Sequence, residues 1–245
     1  MICADWPSCF PEELLVAVSS KSDGTVLDRA VGVHNPSIVT NRTKFCDAAG
    51  VSYGDVAYQR IVYDNEQTYD KIVHITEADT TKHVSEIAAD ALITQSEAVG
   101  LLLPVADCVA TVMYDMKTKR LAMLHLGRHS TLANLMAKVM AEFVRLGSDP
   151  KDVIIWMAPS VQKTHYALEY FTAKDDPAWQ GFYEEKGGKI YLDMQGYNRQ
   201  AAMSAGVPSE NIFISPVNTA TDENYFSHSH GDTTGRFAVL AMIKL

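Results

Sequence analysis

The segment between Val99 and Gly127 is almost continuously apolar and is interrupted only by short polar breaks. Each apolar part is short and is bounded by Asp, Gly or charged residues, which is typical of β-strands. The polar break at Tyr114–Arg120 predicts a tight hairpin or a short connection. Strands are predicted at Glu13–Ser20, Lys71–Thr76, Val99–Asp107, Cys108–Asp115, Arg120–Gly127, Asp152–Ser160, Asn211–Val217 and Gly235–Leu245.

Helical patterns are fewer than strand patterns. Apolar residues follow the 3.6-residue period through Ser130–Gly147, with Ser130 as the N-cap and Gly147 as the C′ residue. A second short helix is predicted at Asn198–Val207, and Thr40–Phe45 is interpreted as a helix start. Some strands are adjacent and others are bridged by helices, so we expect an α/β (α+β) fold of mixed β-sheets layered with helices. No linker or repeat divides the chain, and residues 1–245 are predicted to form one domain.

Composition narrows the class of protein. The chain has 245 residues, 47% of them hydrophobic, which is typical of a globular protein. Its net charge of −9 argues against nucleic acid or an anionic membrane surface as a partner. The first residues have neither the basic region nor the apolar core of a secretory leader, and no apolar run is long enough to span a bilayer. The sequence therefore predicts a cytoplasmic protein with reduced thiols.

Cys108 and His125 are the first candidates for chemistry. Cys108 is either a thiolate nucleophile or soft metal ligand beside an imidazole, or a buried thiol that acts as a small hydrophobe. His125 ends an apolar strand and is followed by Gly127 and a helix start. Strand ends in α/β folds project side chains into crevices, although a core histidine bonded to a carbonyl fits this pattern equally well.

Two polar segments are weaker candidates. His228 and His230 form an H-x-H pair within the segment that ends at Arg236. In a strand both rings would face one side and share a metal, but without a third ligand a polar turn is the preferred interpretation. Arg42 suits either a bound phosphate or a salt bridge, and its spacing does not distinguish these roles.

The order of several short motifs resembles the YfiH-like family, which is also called the laccase-domain or peptidoglycan-editing-factor family. The resemblance extends over nearly the whole chain. The segments that carry it are ADALIT at Ala89–Thr94, ADC at Ala106–Cys108, HLG at His125–Gly127, APSV at Ala158–Val161, the segment Phe226–Arg236 that ends in TGR, NR at Asn41–Arg42 and LDM at Leu192–Met194.

This resemblance implies a YfiH-like fold whose pocket is built by one Cys and two His that hold zinc, with copper as a less favoured metal. Cys108 matches the family cysteine and His125 one family histidine. The activities implied are purine nucleoside phosphorylase, methylthioadenosine phosphorylase and adenosine deaminase. The expected partners are therefore a small-molecule purine nucleoside and phosphate.

The chain departs from the family pattern at the expected site. Tyr69 stands where the third metal ligand, a histidine, is expected. An ordinary phenol loses its proton only near pH 10 and is a poor zinc ligand beside Cys and His, so the site is weakened or binds no metal. His129 occupies a family arginine position, and Ser229 and His230 replace an arginine pair. Several other histidines are candidates to replace the missing metal ligand or the missing positive charge, namely His74, His129, His228 and His230.

Three functions follow from these observations. The first is a purine nucleoside-processing enzyme that uses Cys108 and His125, by phosphorolysis or by deamination. Its substrate or anion would contact the remaining basic residues, which are Arg42, Arg128, His129 and Arg236. The second is a binding or regulatory homologue that has lost the chemistry, as the substitution at Tyr69 suggests. The third is a metal-free Cys–His hydrolase that acts in peptidoglycan precursor editing.

Overall fold

The computed structural model describes residues 1–28, 35–64 and 67–245. Its strands are β1 (Leu14–Val18), β2 (Val56–Arg60), β3 (Ile72–His74), β4 (Ile87–Ala88), β5 (Ala91–Thr94), β6 (Gly100–Val105), β7 (Val109–Asp115), β8 (Arg120–Leu126), β9 (Val153–Met157), β10 (Ala167–Leu168), β11 (Tyr183–Lys186), β12 (Lys189–Leu192), β13 (Ile212–Ile214) and β14 (Phe237–Ile243). Its helices are α1 (Pro36–Ala48), α2 (Arg128–Leu132), α3 (Leu135–Arg145) and α4 (Met194–Ser204). None of the helices in these ranges is both long and apolar enough to cross a membrane.

The strands form two large mixed sheets and one small sheet. The five-stranded sheet has the order β1-β14-β6-β2-β4, and the six-stranded sheet has the order β13-β9-β7-β8-β5-β3. In the first, β2 is parallel to β6 and β4, and in the second β13 is parallel to β9 and β3 to β5. The small sheet, β10-β12-β11, is antiparallel. The predicted α/β (α+β) class with mixed sheets is confirmed.

The two large sheets pack face to face, and alternation along the strands explains how. In β6, Leu101 and Leu103 point into the core between the sheets, whereas Leu102 points to the outer face that α1 covers. In β7, Val112 points into the same inner core and Met113 points to the opposite face, against α3 and α4. Each sheet is therefore buried on both faces, which is why its strands are almost continuously apolar.

The predicted strands are confirmed with shorter ends, and Asp115 pairs with Arg120 across the predicted hairpin. The six short strands β2, β4, β5, β10, β11 and β12 lie outside the predicted ranges. They have two to five residues each, too few to show a hydrophobic period.

The predicted helix at Ser130–Gly147 is wrong in its continuity. Two helices, α2 and α3, meet at Asn134, whose φ of 58° lies in the left-handed region that Asn tolerates. Ser130 is not the N-cap but lies inside α2, which follows Gly127. The expected stop at Gly147 agrees with its φ of 94°.

The other two helix predictions have wrong boundaries. Helix α1 begins at Pro36 after the N-cap Asn35, whose Oδ1 accepts from the Ser37 amide at 3.0 Å, so Thr40–Phe45 lies inside it. Helix α4 begins at Met194 rather than Asn198, because Asp193 caps it through the Gly196 amide.

Candidate active site

Cys108 and His125 lie side by side at the end of the β7–β8 hairpin. His125 is paired with Ala110 across the two strands, and Cys108 lies in the bend just before β7. Gly127 separates them: a Cβ added there would lie 3.0 Å from Cys108 Sγ and 3.0 Å from His125 Cε1. The absence of a Cβ at Gly127 thus leaves room for the thiol and the imidazole. We call Cys108, His125 and Gly127 the cavity floor.

His125 is fixed by its backbone and is held neutral. Its amide donates to the Asp90 carbonyl at 2.9 Å, and its carbonyl accepts from Ser130 Oγ at 2.6 Å. The side chain is buried, and its Nδ1 has no hydrogen-bond partner in the described part of the chain. Burial, followed by the positive charge of Arg236, lowers the pKa of His125 to about 4. The ring is therefore a neutral imidazole with an unused nitrogen.

The Cys108 thiol is also neutral. Burial, followed by the neighbouring Asp107 carboxylate, raises its pKa to about 11, against a smaller opposite effect of Arg236 and Arg128. The thiol is thus a weaker acid than usual, and the imidazole beside it is a weaker base. Both shifts oppose proton transfer from Cys108 to His125, so a thiolate–imidazolium pair of the kind used by cysteine hydrolases is disfavoured here.

A cavity of about 540 Å³ opens above this floor. The sequence-predicted residues Tyr69, Arg128, His129 and Arg236 line it together with Cys108 and His125. Its apolar lining includes Val161, Leu168 and Met194, and its further polar and aromatic lining includes Tyr63, Asp107, Tyr166, His228 and Ser229. This volume is within the range of pockets for small molecules.

The three arginines predicted to bind an anion have different surroundings. In the described part of the chain no carboxylate pairs with Arg128. Arg236 Nη1 donates to the carbonyl of Gly235 at 2.6 Å. Arg42 does not line the cavity: its guanidinium lies 3.8 Å from the centre of the Tyr58 ring and donates to the Val26 carbonyl at 2.7 Å. The structure therefore does not bring Arg42 to the cavity, because this α1 side chain is completely buried in the core.

The H-x-H pair forms a polar turn, as preferred from the sequence. His228–His230 is a single 3-10 turn in which His228 lines the cavity, whereas the His230 ring lies edgewise against His165 at 5.9 Å. Asp107 fixes this turn: its Oδ2 accepts from the amide and the hydroxyl of Ser229, both at 2.7 Å. His74, another candidate ligand, lies on β3 and contacts Glu142.

The residues present do not fit a resident zinc ion. A catalytic zinc site needs about three protein ligands, and the cavity floor supplies Cys108 and the free nitrogen of His125. Tyr69, at the expected third position, brings a phenol in place of an imidazole, and its ring is stacked on His129 at 4.5 Å. Within residues 1–28, 35–64 and 67–245, no three His, Cys, Asp or Glu side chains form a metal-binding group.

Several lining residues were not found from the sequence. Tyr63 and Tyr166 have no motif around them, and the long separation of Tyr166 from Cys108 hides their proximity. Burial, followed by Cys108, raises the pKa of Tyr166 to about 12, so this phenol is a neutral hydrogen-bonding group. Asp107 stands beside Cys108 in the sequence, and that adjacency was a usable signal.

Comparison with known sequences agrees with the sequence resemblance. A family model described as multi-copper polyphenol oxidoreductase laccase matches residues 18–244. A protein of Corynebacterium glutamicum named purine nucleoside phosphorylase is 29% identical over 210 residues, which are 85% of this chain and 82% of that protein. Bacillus subtilis YlmD, also named purine nucleoside phosphorylase, is 22% identical over 244 residues, 92% of this chain and 86% of that protein.

Solved structures share the fold. YlmD from Geobacillus stearothermophilus superposes with a TM-score of 0.84 at 20% identity, over 98% of this chain and 94% of that one. The Bacillus licheniformis hypothetical protein YfiH gives a TM-score of 0.80 at 22% identity, over 95% of this chain and 93% of that one. The YfiH-like fold predicted from the motifs is confirmed.

Proposed function

This chain belongs to the family described as multi-copper polyphenol oxidoreductase laccase, and we propose that it is an enzyme that cleaves purine nucleosides with phosphate. The observation that carries the proposal is the cavity itself, in which Cys108 and His125 form the floor beside the cation Arg128. The names of the relatives, which are called purine nucleoside phosphorylases, support the same substrate class.

The lining of the cavity suits both parts of this substrate pair. Tyrosine and apolar side chains offer surface to a planar base, and Arg128 and Arg236 offer charge to phosphate. Guanidinium groups bind phosphate oxygens through charge-assisted hydrogen bonds. His129, next to Arg128, adds little charge, because burial, followed by Arg128, lowers its pKa. We therefore assign phosphate binding to the two arginines and to Arg128 first.

The proposed reaction is a balanced exchange at the ribose. An oxygen of hydrogen phosphate forms a bond to C1′ while the bond from C1′ to the purine nitrogen breaks. The electron pair of that bond goes to the purine, and the proton of hydrogen phosphate ends on a purine nitrogen. Adenosine or inosine then gives a free purine and ribose 1-phosphate, and methylthioadenosine gives adenine and 5-methylthioribose 1-phosphate.

His125 and Cys108 act in this proposal as neutral groups. A neutral imidazole accepts a hydrogen bond on one ring nitrogen and donates from the other, so His125 can pass the proton from phosphate towards the purine. The Cys108 thiol beside it is a weak donor. No step depends on a thiolate, which agrees with the raised pKa of Cys108 and the lowered pKa of His125.

A turnover assay tests the proposal. Purified protein is incubated with each nucleoside and phosphate, and the free purine and ribose 1-phosphate are quantified. We expect His125→Ala to lower kcat/KM by about 100-fold or more, the usual effect of losing a group that transfers a proton. Cys108→Ala should lower it less, because that variant removes only a weak hydrogen-bond donor. Cys3→Ala is the matched control, because Cys3 is exposed and lies outside the cavity lining.

The alternatives appear as distinct outcomes of the same assay. Phosphate-independent conversion of adenosine to inosine would replace phosphorolysis by deamination. Binding of nucleoside without turnover would indicate a binding homologue. Full activity in His125→Ala would remove that residue from the mechanism.

Metal dependence gives an independent test. Because the donor set of the cavity does not fit resident zinc, we expect dialysis against a chelator to leave kcat/KM within about twofold of its starting value. Metal content is measured by mass spectrometry on the same samples. Loss of activity that added zinc restores would contradict the metal-free assignment.

A further inference from the structure

Three aromatic side chains form a continuous side of the cavity, which we call the aromatic wall: Tyr63, Tyr69 and His129. The Tyr69 and His129 rings are stacked, with centroids 4.5 Å apart and planes 20° apart. Tyr63 follows at 6.2 Å from Tyr69 and lies edgewise to His125 of the floor at 6.4 Å. Tyr63, which is 64% exposed, is therefore the member of the wall that meets the cavity floor, and Tyr69 and His129 continue the wall from it.

Tyr69 is placed in this wall at a conformational cost. Its φ of 55° lies in the left-handed region, which is rare for a bulky residue. The next two residues anchor it: Asp70 is paired with Lys138 of α3, and the Lys71 amide donates to Asp90 Oδ2 at 3.0 Å. A residue in this conformation persists when its surroundings determine it, so the position of the Tyr69 ring is specified by the fold.

The Tyr69 hydroxyl is not what holds the ring. Among the residues placed by the structure, no group forms a hydrogen bond with that hydroxyl, and the contact to His129 is made by the ring face. The feature that the wall offers to a ligand is therefore flat aromatic surface. Planar bases stack on such surfaces without regard to their hydrogen-bonding edges.

We propose that the Tyr69–His129 stack is the surface that recognises the planar base of the substrate, with Tyr69 acting through its ring rather than its hydroxyl. The proposal rests on the proposed function and adds the specificity determinant to it. The base lies along the aromatic wall, and the anionic co-substrate lies by Arg128, so that the ribose is positioned over the cavity floor. His129 supports the Tyr69 ring from behind and is a positioning residue.

Three variants separate the effect of the Tyr69 ring from that of the Tyr69 hydroxyl and from that of losing a tyrosine elsewhere. Tyr69→Leu removes the ring, Tyr69→Phe removes only the hydroxyl, and Tyr170→Leu removes an exposed tyrosine outside the cavity lining. Dissociation constants for adenine and hypoxanthine are measured by calorimetry, and KM for nucleoside and for phosphate by kinetics. We expect Tyr69→Leu to weaken base binding and raise nucleoside KM about tenfold or more, with phosphate KM unchanged. Tyr69→Phe keeps the ring and should bind the base more tightly than Tyr69→Leu, whereas Tyr170→Leu should stay within about twofold of the parent.

The other outcomes distinguish failure of the recognition role from failure of the proposed function. Unchanged base binding in Tyr69→Leu overturns the recognition role and leaves the proposed function intact. A Tyr69→Phe variant as weak as Tyr69→Leu overturns it as well, because the hydroxyl would then be the recognised group. A parent protein that binds neither purine overturns both proposals. His129→Ala, at an exposed position, is the second variant if Tyr69→Leu does not fold, and it should weaken base binding about threefold.

Discussion

The floor and the aromatic wall of the cavity are built in different ways. Cys108 and His125 are held by a β-sheet that is buried on both faces, so the hydrogen-bonded register of β7 and β8 fixes their separation. Tyr63 and Tyr69 belong to the connection between β2 and β3, in which an ion pair at Asp70 and a backbone hydrogen bond at Lys71 hold the residues next to Tyr69. The floor therefore has little freedom to change shape, whereas the wall can vary without disturbing the sheets.

The largest effect is expected where the floor is tightest. In Gly127→Ala the new methyl group would lie 3.0 Å from both Cys108 Sγ and His125 Cε1, so one of these side chains must move. We expect kcat/KM to fall about 100-fold, since small displacements of reacting groups have effects of this size. Gly54→Ala is the control, because its methyl group would meet the flexible Lys82 side chain and, at 3.4 Å, Ser52 Oγ, and neither of these residues lines the cavity. Equal kcat/KM for the two variants would show that Cys108 or His125 can move to accommodate the methyl group without loss of activity.

The second prediction concerns Asp107, which links the cavity floor to the 3-10 turn at His228–His230. Asp107 accepts hydrogen bonds from Ser229 and from Thr219 Oγ1 at 2.8 Å, which ties the 3-10 turn to the residue before Cys108. Asp107→Ala should lower the free energy of unfolding by about 2 kcal/mol, and Ser229→Ala by about 1 kcal/mol. Urea unfolding measures both, with the exposed Asp175→Asn as control. Equal free energies of unfolding for Asp107→Ala and the control would show that these hydrogen bonds do not stabilise the turn.

The smallest effect concerns the ion pairs beside the wall. Hydrogen bonding from Arg145, and less so from His74, lowers the pKa of Glu142 to about 2, and Lys138 lowers the pKa of Asp70. Carboxylates with a lowered pKa stabilise the fold fully above their ordinary range near pH 4 and lose this contribution as the pH falls through the folded value. We expect about 0.5 kcal/mol from each of these largely solvated pairs.

Urea unfolding at pH 6 and pH 3 in low salt measures this contribution. The loss of stability between the two values should be smaller in Glu142→Gln than in the parent, because that variant has no carboxylate at position 142 to protonate. An unchanged pH dependence in Glu142→Gln would show that this pair does not help to hold β3 against α3.

The three candidate arginines occupy different environments that their sequence context does not separate. Arg42, Arg128 and Arg236 were assigned the same anion-binding role, yet Arg42 is buried on Tyr58 and the other two line the cavity. Guanidinium groups suit phosphate, aromatic faces and backbone carbonyls alike, so residue type does not distinguish these environments. The helix break at Asn134 was not predicted for a related reason. The apolar period continues across it, and a single left-handed residue leaves no periodic signal.

The sequence by itself determined the sheets and the floor. Continuous apolar strands must be covered on both faces, and a Cys and a His at the ends of adjacent strands of one hairpin must lie close together, because local pairing sets their distance. Only the tertiary structure decided what surrounds them. Tyr63 and Tyr166 reach the cavity through connections whose course depends on packing between layers, and that information is spread over residues far apart in the chain.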